Sequence, residues 1–202
     1  MKLFRFTCLH ILGCTGLLLL STGLFAQAED DIQINAAFSS SIDLTVTDGT
    51  NINFTIATMG EYTGGVASPY DYYADFEVNA SQDFQVALSS TAFTDGNGNT
   101  LDAGNFGYRL IDNGTYESGT HHLLLGGSGS PSALAILGPP QVIITATGDG
   151  NAGPASANAY RIHFELGTPE TRALSGLPTL LDQGIVPGIY TGVVTLTASA
   201  MP

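Results

Sequence analysis

Hydrophobic and polar residues alternate with a period of two along most of this chain, most clearly over Tyr72–Ser89, YYADFEVNASQDFQVALS. Phe76 and Val78 alternate with Asp75, Glu77 and Asn79, and Phe84, Val86 and Leu88 alternate with Gln85 and Ala87. That spacing places the large apolar groups on one face of a sheet. Ser81-Gln82-Asp83 supplies a polar turn, so the stretch reads as a half-buried hairpin around which further strands gather.

The same pattern recurs on both sides. Ile32–Val46 is two alternating runs joined at serines. Asp48-Gly49 then leads into Ile52–Thr58, and an Asp-Gly step between β-rich runs predicts a hairpin, because glycine accepts the positive φ of a tight turn. Glu61–Pro69 reads as a Gly/Ser/Pro loop. Phe106–Ile111 is a strand, Asn113-Gly114 a second hairpin turn, and a further strand is expected around Tyr116. Gly126–Pro140 is rich in Gly, Ser and Pro but encloses ALAIL, which reads as a long crossover tucking apolar residues against the core. Strands follow at Gln141–Thr147, Tyr160–Leu166 and Ile189–Ala198, with one helical turn at Leu177–Asp182. Eight to ten strands with frequent turns and almost no helical period predict an all-β fold, an antiparallel Greek-key (Ig-like) β-sandwich.

The first 28 residues have a different character. Lys2 and Arg5 precede an apolar segment running from Ile11 to Phe25, and Ala26-Gln27-Ala28 offers a small-x-small cleavage site, the arrangement of a secretory signal peptide. Residues 1–28 are therefore expected to be removed, leaving 29–202 as one β-sandwich domain. Ile11-Leu12-Gly13-Cys14 also has the outline of a lipoprotein processing site, although Leu12 departs from that pattern and most of the apolar run follows Cys14. Both cysteines, Cys8 and Cys14, lie in this segment, so strand pairing and core packing must hold the rest of the chain without disulfides. No later segment is apolar enough over sufficient length to span a bilayer as a helix.

Beyond Ala28 there is no lysine, and Arg109, Arg161 and Arg172 stand against 18 carboxylates, a net charge of −15. Phosphate recognition needs cationic side chains, so nucleic acid is excluded as a partner and a bare anionic membrane is disfavoured. Divalent cations, neutral glycans, envelope or surface proteins and other copies of the chain remain as partners.

The closing PGIYTGVVTLTASA resembles the last strand of secreted bacterial Ig-like modules of the spore-coat-U-like, fimbrial-subunit-like and WxL-type surface proteins, with Tyr190, Val194 and Leu196 at the matching positions. The order FTIATMGEYTGG, FEVNASQDFQVALSS, RIHFELGT and PGIYTGVVTLTA is similar to secreted β-sandwich proteins of bacterial surfaces. The resemblance implies a secreted, cell-surface or periplasmic protein with a structural or adhesion role. The chain departs from it in having no Trp and no cysteine pair after the leader, which puts assembly by strand exchange in doubt.

Candidate chemistry is sparse. Asp95, Asn97 and Asn99, with Asp102 shortly after, place oxygen ligands at alternate positions, as calcium loops do; DGNGN is equally natural as a hairpin turn. Asp149 and Asn151 form a second such pattern. No organic cofactor is called for, and calcium is the one ion the spacing admits. Tyr62, Tyr70, Tyr72 and Tyr73 surround a Gly/Pro loop, either as a glycan- or protein-binding surface or as rings closing over the core. His121 and His122 are adjacent, so in an extended segment they point in opposite directions. Arg161, His163 and Glu165 share one strand face as a polar stripe. Asn53, Asn79 and Asn113 each begin an Asn-x-Ser/Thr sequon. With no nucleophile elbow, zinc-protease helix or phosphate loop, and nothing that selects a carboxylate pair, the reading is a non-catalytic, exported structural or adhesion-type surface protein that self-assembles through edge strands. The alternative is a carbohydrate- or calcium-dependent extracellular binding module.

Overall fold

A computed structural model describes residues 39–201. The proposed leader, Cys14 and the first of the two alternating runs in Ile32–Val46 lie outside the described residues. The fold is mostly β, and every paired strand in it is antiparallel.

In chain order the elements are β1 (Ile42–Asp48), α1 (Met59–Gly64), β2 (Val66–Ala67), β3 (Tyr73–Ala80), β4 (Phe84–Ser90), β5 (Phe93–Thr94), β6 (Thr100–Leu101) and β7 (Phe106–Asp112). They continue with β8 (His122–Leu124), β9 (Ala135–Ile136), β10 (Gln141–Ala146), β11 (Ala159–Leu166), α2 (Pro169–Ser175) and β12 (Val194–Ala200). One sheet has the order β1-β3-β11-β7-β9, with β2 also on β11; the second has the order β12-β4-β10-β8; β5 and β6 form a small hairpin. Phe76, Tyr108, Leu110, Tyr160 and Ile162 of the first sheet share one core with Phe84, Val86, Leu88 and Ile144 of the second.

The organising stretch is not a hairpin. β3 pairs with β1 and β11, whereas β4 pairs with β12 and β10, so Ser81-Gln82-Asp83 is a corner that carries the chain from one sheet to the other. Alternation in β3 and β4 points both apolar rows inward from facing sheets, which satisfies the same pattern that a hairpin would. The corner is locked by Asn151, a fully buried side chain that behaves as a strand partner: its Oδ1 accepts from Phe84 N–H at 2.9 Å and its Nδ2 donates to Phe84 C=O at 3.0 Å. Asp83 accepts from the backbone N–H groups of Asn151 and Ala152 at 2.9 and 3.1 Å.

Three other expectations change. The Asp48-Gly49 step ends β1 without starting a hairpin; the following Ile52, Phe54 and Ile56 pack on the core, with Phe54 stacked 4.2 Å from Tyr72, but form no strand. Gly49 has φ +70°, and a Cβ there would lie 2.0 Å from the Tyr73 carbonyl oxygen, so close approach to β3 dictates glycine. Asn113-Gly114 likewise ends β7 in a turn, and no strand forms around Tyr116. The segment read as a Gly/Ser/Pro loop begins inside α1, whose capping box joins Thr58 and Glu61: Thr58 Oγ1 accepts from Glu61 N–H, and the Glu61 carboxylate accepts from Thr58 N–H at 2.7 Å.

A second short helix, α2, has Thr168 as N-cap, Pro169 in its first turn and Gly176 in the left-handed conformation at its end. The turn expected at Leu177–Asp182 forms slightly later, closed by Gln183 N–H donating to Thr179 C=O at 3.1 Å. The crossover expectation holds: Ala135–Ile136 pairs with β7 at the sheet edge and Leu137 is buried. The last strand starts at Val194, leaving Ile189 in an exposed loop.

Candidate functional site

The Asp95 loop is built as a turn. Asp95 Oδ1 accepts from the backbone N–H groups of Asn97 and Asn99 at 2.9 and 3.0 Å, and Oδ2 from the Asn99 carboxamide at 2.6 Å and more distantly from that of Asn97. The Asn99 carboxamide, followed by the backbone donors, holds the Asp95 carboxyl below its ordinary pKa. Asp102 is engaged elsewhere, accepting from Gly104 N–H at 2.8 Å to cap a single 3-10 turn, Ala103–Asn105. The loop therefore brings Asp95, Asn97 and Asn99 together around one carboxylate, with the amide nitrogens turned toward it, and leaves Asp102 outside that group. Asn151, in the second oxygen-rich pattern, is consumed by Phe84. Among the described residues no cluster of three or more His, Cys, Asp or Glu side chains is arranged to hold a metal ion.

The tyrosines separate. Tyr70 is 84 % exposed, Tyr72 packs with Phe54 against the core, and Tyr62 is half-buried against it on α1. Tyr73 faces outward on β3, donating its hydroxyl to Asp48 at 2.9 Å while the Arg161 guanidinium lies 4.0 Å over its ring. That hydroxyl, then Gly49 N–H, holds Asp48 below the ordinary carboxylate range. Arg161 closes a bidentate pair with Asp75 at 2.6 Å for each contact, the two residues being register partners on β11 and β3. Within the polar stripe on β11, Arg161 is tied across to β3, whereas Glu165 is tied to the start of α2. Glu165 accepts from the Thr168 and Thr171 hydroxyls, and Arg109 pairs with Glu170 at 2.6 Å. His163 lies beside Arg161 in a shallow cleft with Arg109 and Glu165, and burial followed by the Arg161 charge lowers its pKa.

His121 and His122 do diverge. His121 stacks on Tyr116 at 4.2 Å, whereas His122 is fully buried, its Nε2 3.1 Å from Asp112 Oδ2 and its ring edge against Tyr160. The carboxylate assigns the proton to Nε2 and joins β8 in one sheet to β7 in the other. The sequence contained the two partners but no sign of their meeting, because they belong to different sheets. Burial also drives the Tyr108 hydroxyl up to about 12 and that of Tyr160 higher.

The remaining feature is a flank. β1 is an edge of the first sheet and β12 an edge of the second, and the two strands lie against each other across the layers. Their exposed sides differ. β1 carries Asp43 and Asp48 and a register shift between Val46 and Asp48, while β12, VTLTASA, has no charged residue. No family model and no curated protein matches this chain. Among the described residues, the flank is where each sheet ends in a strand with a partner on one side only.

Proposed function

We propose that this chain is an exported, non-catalytic structural or adhesion-type surface protein, secreted, at the cell surface or in a periplasm, that contacts copies of itself or neighbouring envelope proteins through its edge strands. In this reading residues 1–28 are a cleaved signal peptide and the two sheets form a Greek-key, Ig-like sandwich akin to secreted bacterial surface modules. The observation that carries the proposal is the pair of edge strands on one flank, β1 and β12, since an edge presents a ladder of N–H and C=O groups to an incoming strand. The acidic, cation-poor composition supports an extracellular setting and partners other than nucleic acid.

Light scattering after size exclusion on the exported chain, with calcium and with chelator, tests the reading. Concentration-dependent oligomers in both buffers are expected. A monomer at all concentrations overturns self-association, and oligomers or a melting temperature that depend on calcium would move the function to a calcium-dependent binding module.

A further inference from the structure

We infer that β12 is the docking edge and that its partner is β12 of a second copy, paired antiparallel about a two-fold axis; this rests on the self-association proposed above and names its contact. Thr91 N–H donates to Val193 C=O and Met201 N–H donates to Asp83 C=O, both at the register in which β12 pairs with β4. Odd-numbered residues of β12 therefore bond to β4, and the N–H and C=O groups of Val194, Leu196, Ala198 and Ala200 point away from it. Among the described residues no strand takes these groups. Val194, Leu196 and Ala198 are half-buried and pack against the core, while Thr195, Thr197 and Ser199 are exposed on the outer face.

Charge selects which edge can pair with its own copy. Each copy carries a net −15 beyond Ala28, so two copies repel wherever carboxylates meet. β1 is guarded against its own copy: Asp43 and Asp48 stand near its two ends, so antiparallel self-pairing brings like charges opposite each other. β12 has no charge, no proline and no register shift over seven residues, the features by which edges are normally protected. An antiparallel match of Val194 with Ala200 and Leu196 with Ala198 uses all four outward residues. It places Thr197 on the axis, facing its own copy as a non-hydrogen-bonded pair, the closer kind of cross-strand neighbour. The four-stranded sheet then continues across the axis into its copy.

The test uses the full chain carrying Cys8→Ser and Cys14→Ser, with Thr197→Cys on β12 or Thr45→Cys on β1. A non-hydrogen-bonded antiparallel pair has Cα atoms at a separation a disulfide can bridge. Thr197→Cys is expected to give a disulfide-linked dimer under mild oxidation and Thr45→Cys a monomer. Thr197→Asp is expected to weaken dimerisation at least about tenfold by opposing two carboxylates, whereas Thr45→Asp leaves it unchanged. Added salt should strengthen the dimer by screening net repulsion. Dimers that form without crosslinking through Thr197→Cys overturn the β12 assignment while self-association stands; a monomer in light scattering overturns both. Hydrogen exchange on the monomer gives a separate check, because slow exchange of the Leu196 and Ala198 amides there would mean that another part of the same chain already covers the edge, which also overturns the assignment.

Discussion

Replacing Asn151 should damage the fold more than its place in a Gly/Asn loop would indicate. Its side chain is fully buried and makes two hydrogen bonds to the backbone of Phe84, one as acceptor and one as donor. Asn151→Ala strands both Phe84 groups at the corner between the sheets. A buried donor or acceptor left unpaired costs about 1–3 kcal/mol, so the pair amounts to roughly 2–6 kcal/mol, against a total of about 5–15 kcal/mol for a typical domain. At about 2–4 °C per kcal/mol for a chain of this size, the melting temperature falls by roughly 4–24 °C. Asn151→Asp keeps the shape and the acceptor but turns a second oxygen toward the Phe84 carbonyl, so it should also be destabilising at neutral pH and recover partly in mild acid, where the carboxyl regains a proton to donate. Urea and thermal denaturation followed by circular dichroism measure both variants, and exchange of the Phe84 amide locates the effect. A change below about 0.5 kcal/mol for Asn151→Ala, within the range of ordinary surface substitutions, would refute the view that this side chain closes the corner.

Gly49→Ala should be destabilising by about 1–3 kcal/mol from the left-handed backbone alone, with the 2.0 Å approach to Tyr73 C=O adding displacement of β3 that chemical-shift changes on that strand would reveal. His163 has its pKa lowered by burial and by Arg161, so its neutral form is favoured in the folded chain. That contribution is complete above the unfolded histidine value near 6.5 and is lost as pH falls through that value toward the folded pKa. Denaturation between pH 8 and 5 should therefore show stability declining toward acid, with a shallower slope in His163→Gln; equal slopes would exclude His163 as a source of the decline.

Side-chain alternation made several strands legible, because burial on one face is written directly into the residues of β3, β4 and β11. Partner choice was not, since a period of two is indifferent to whether the next strand lies beside the first or across the core from it. The run Ile52–Ile56 makes the same point from the other side: its apolar residues pack, but no neighbour takes its backbone. The signals of α2 were present in Thr168, Pro169, Glu170 and Gly176, yet a helix of seven residues is too short to show a period. In the Asp95 loop one spacing serves both a cation and a turn, and the difference lies in where the carboxylate's own hydrogen bonds go. Tyr72 and Tyr73 are neighbours in sequence, and strand geometry sends them to opposite faces.

The corner at Ser81–Asp83 also governs the order in which the chain can fold. Because β3 and β4 turn away from each other, each depends on strands made far later: β3 is enclosed only when β11 arrives, and β4 only with β10 and β12. A chain emerging from the ribosome as far as β7 holds just the β1–β3 ladder and the small β5–β6 hairpin among these pairings. Folding is therefore dominated by distant partners, which makes it slow and keeps a growing chain open until most of it has been synthesised.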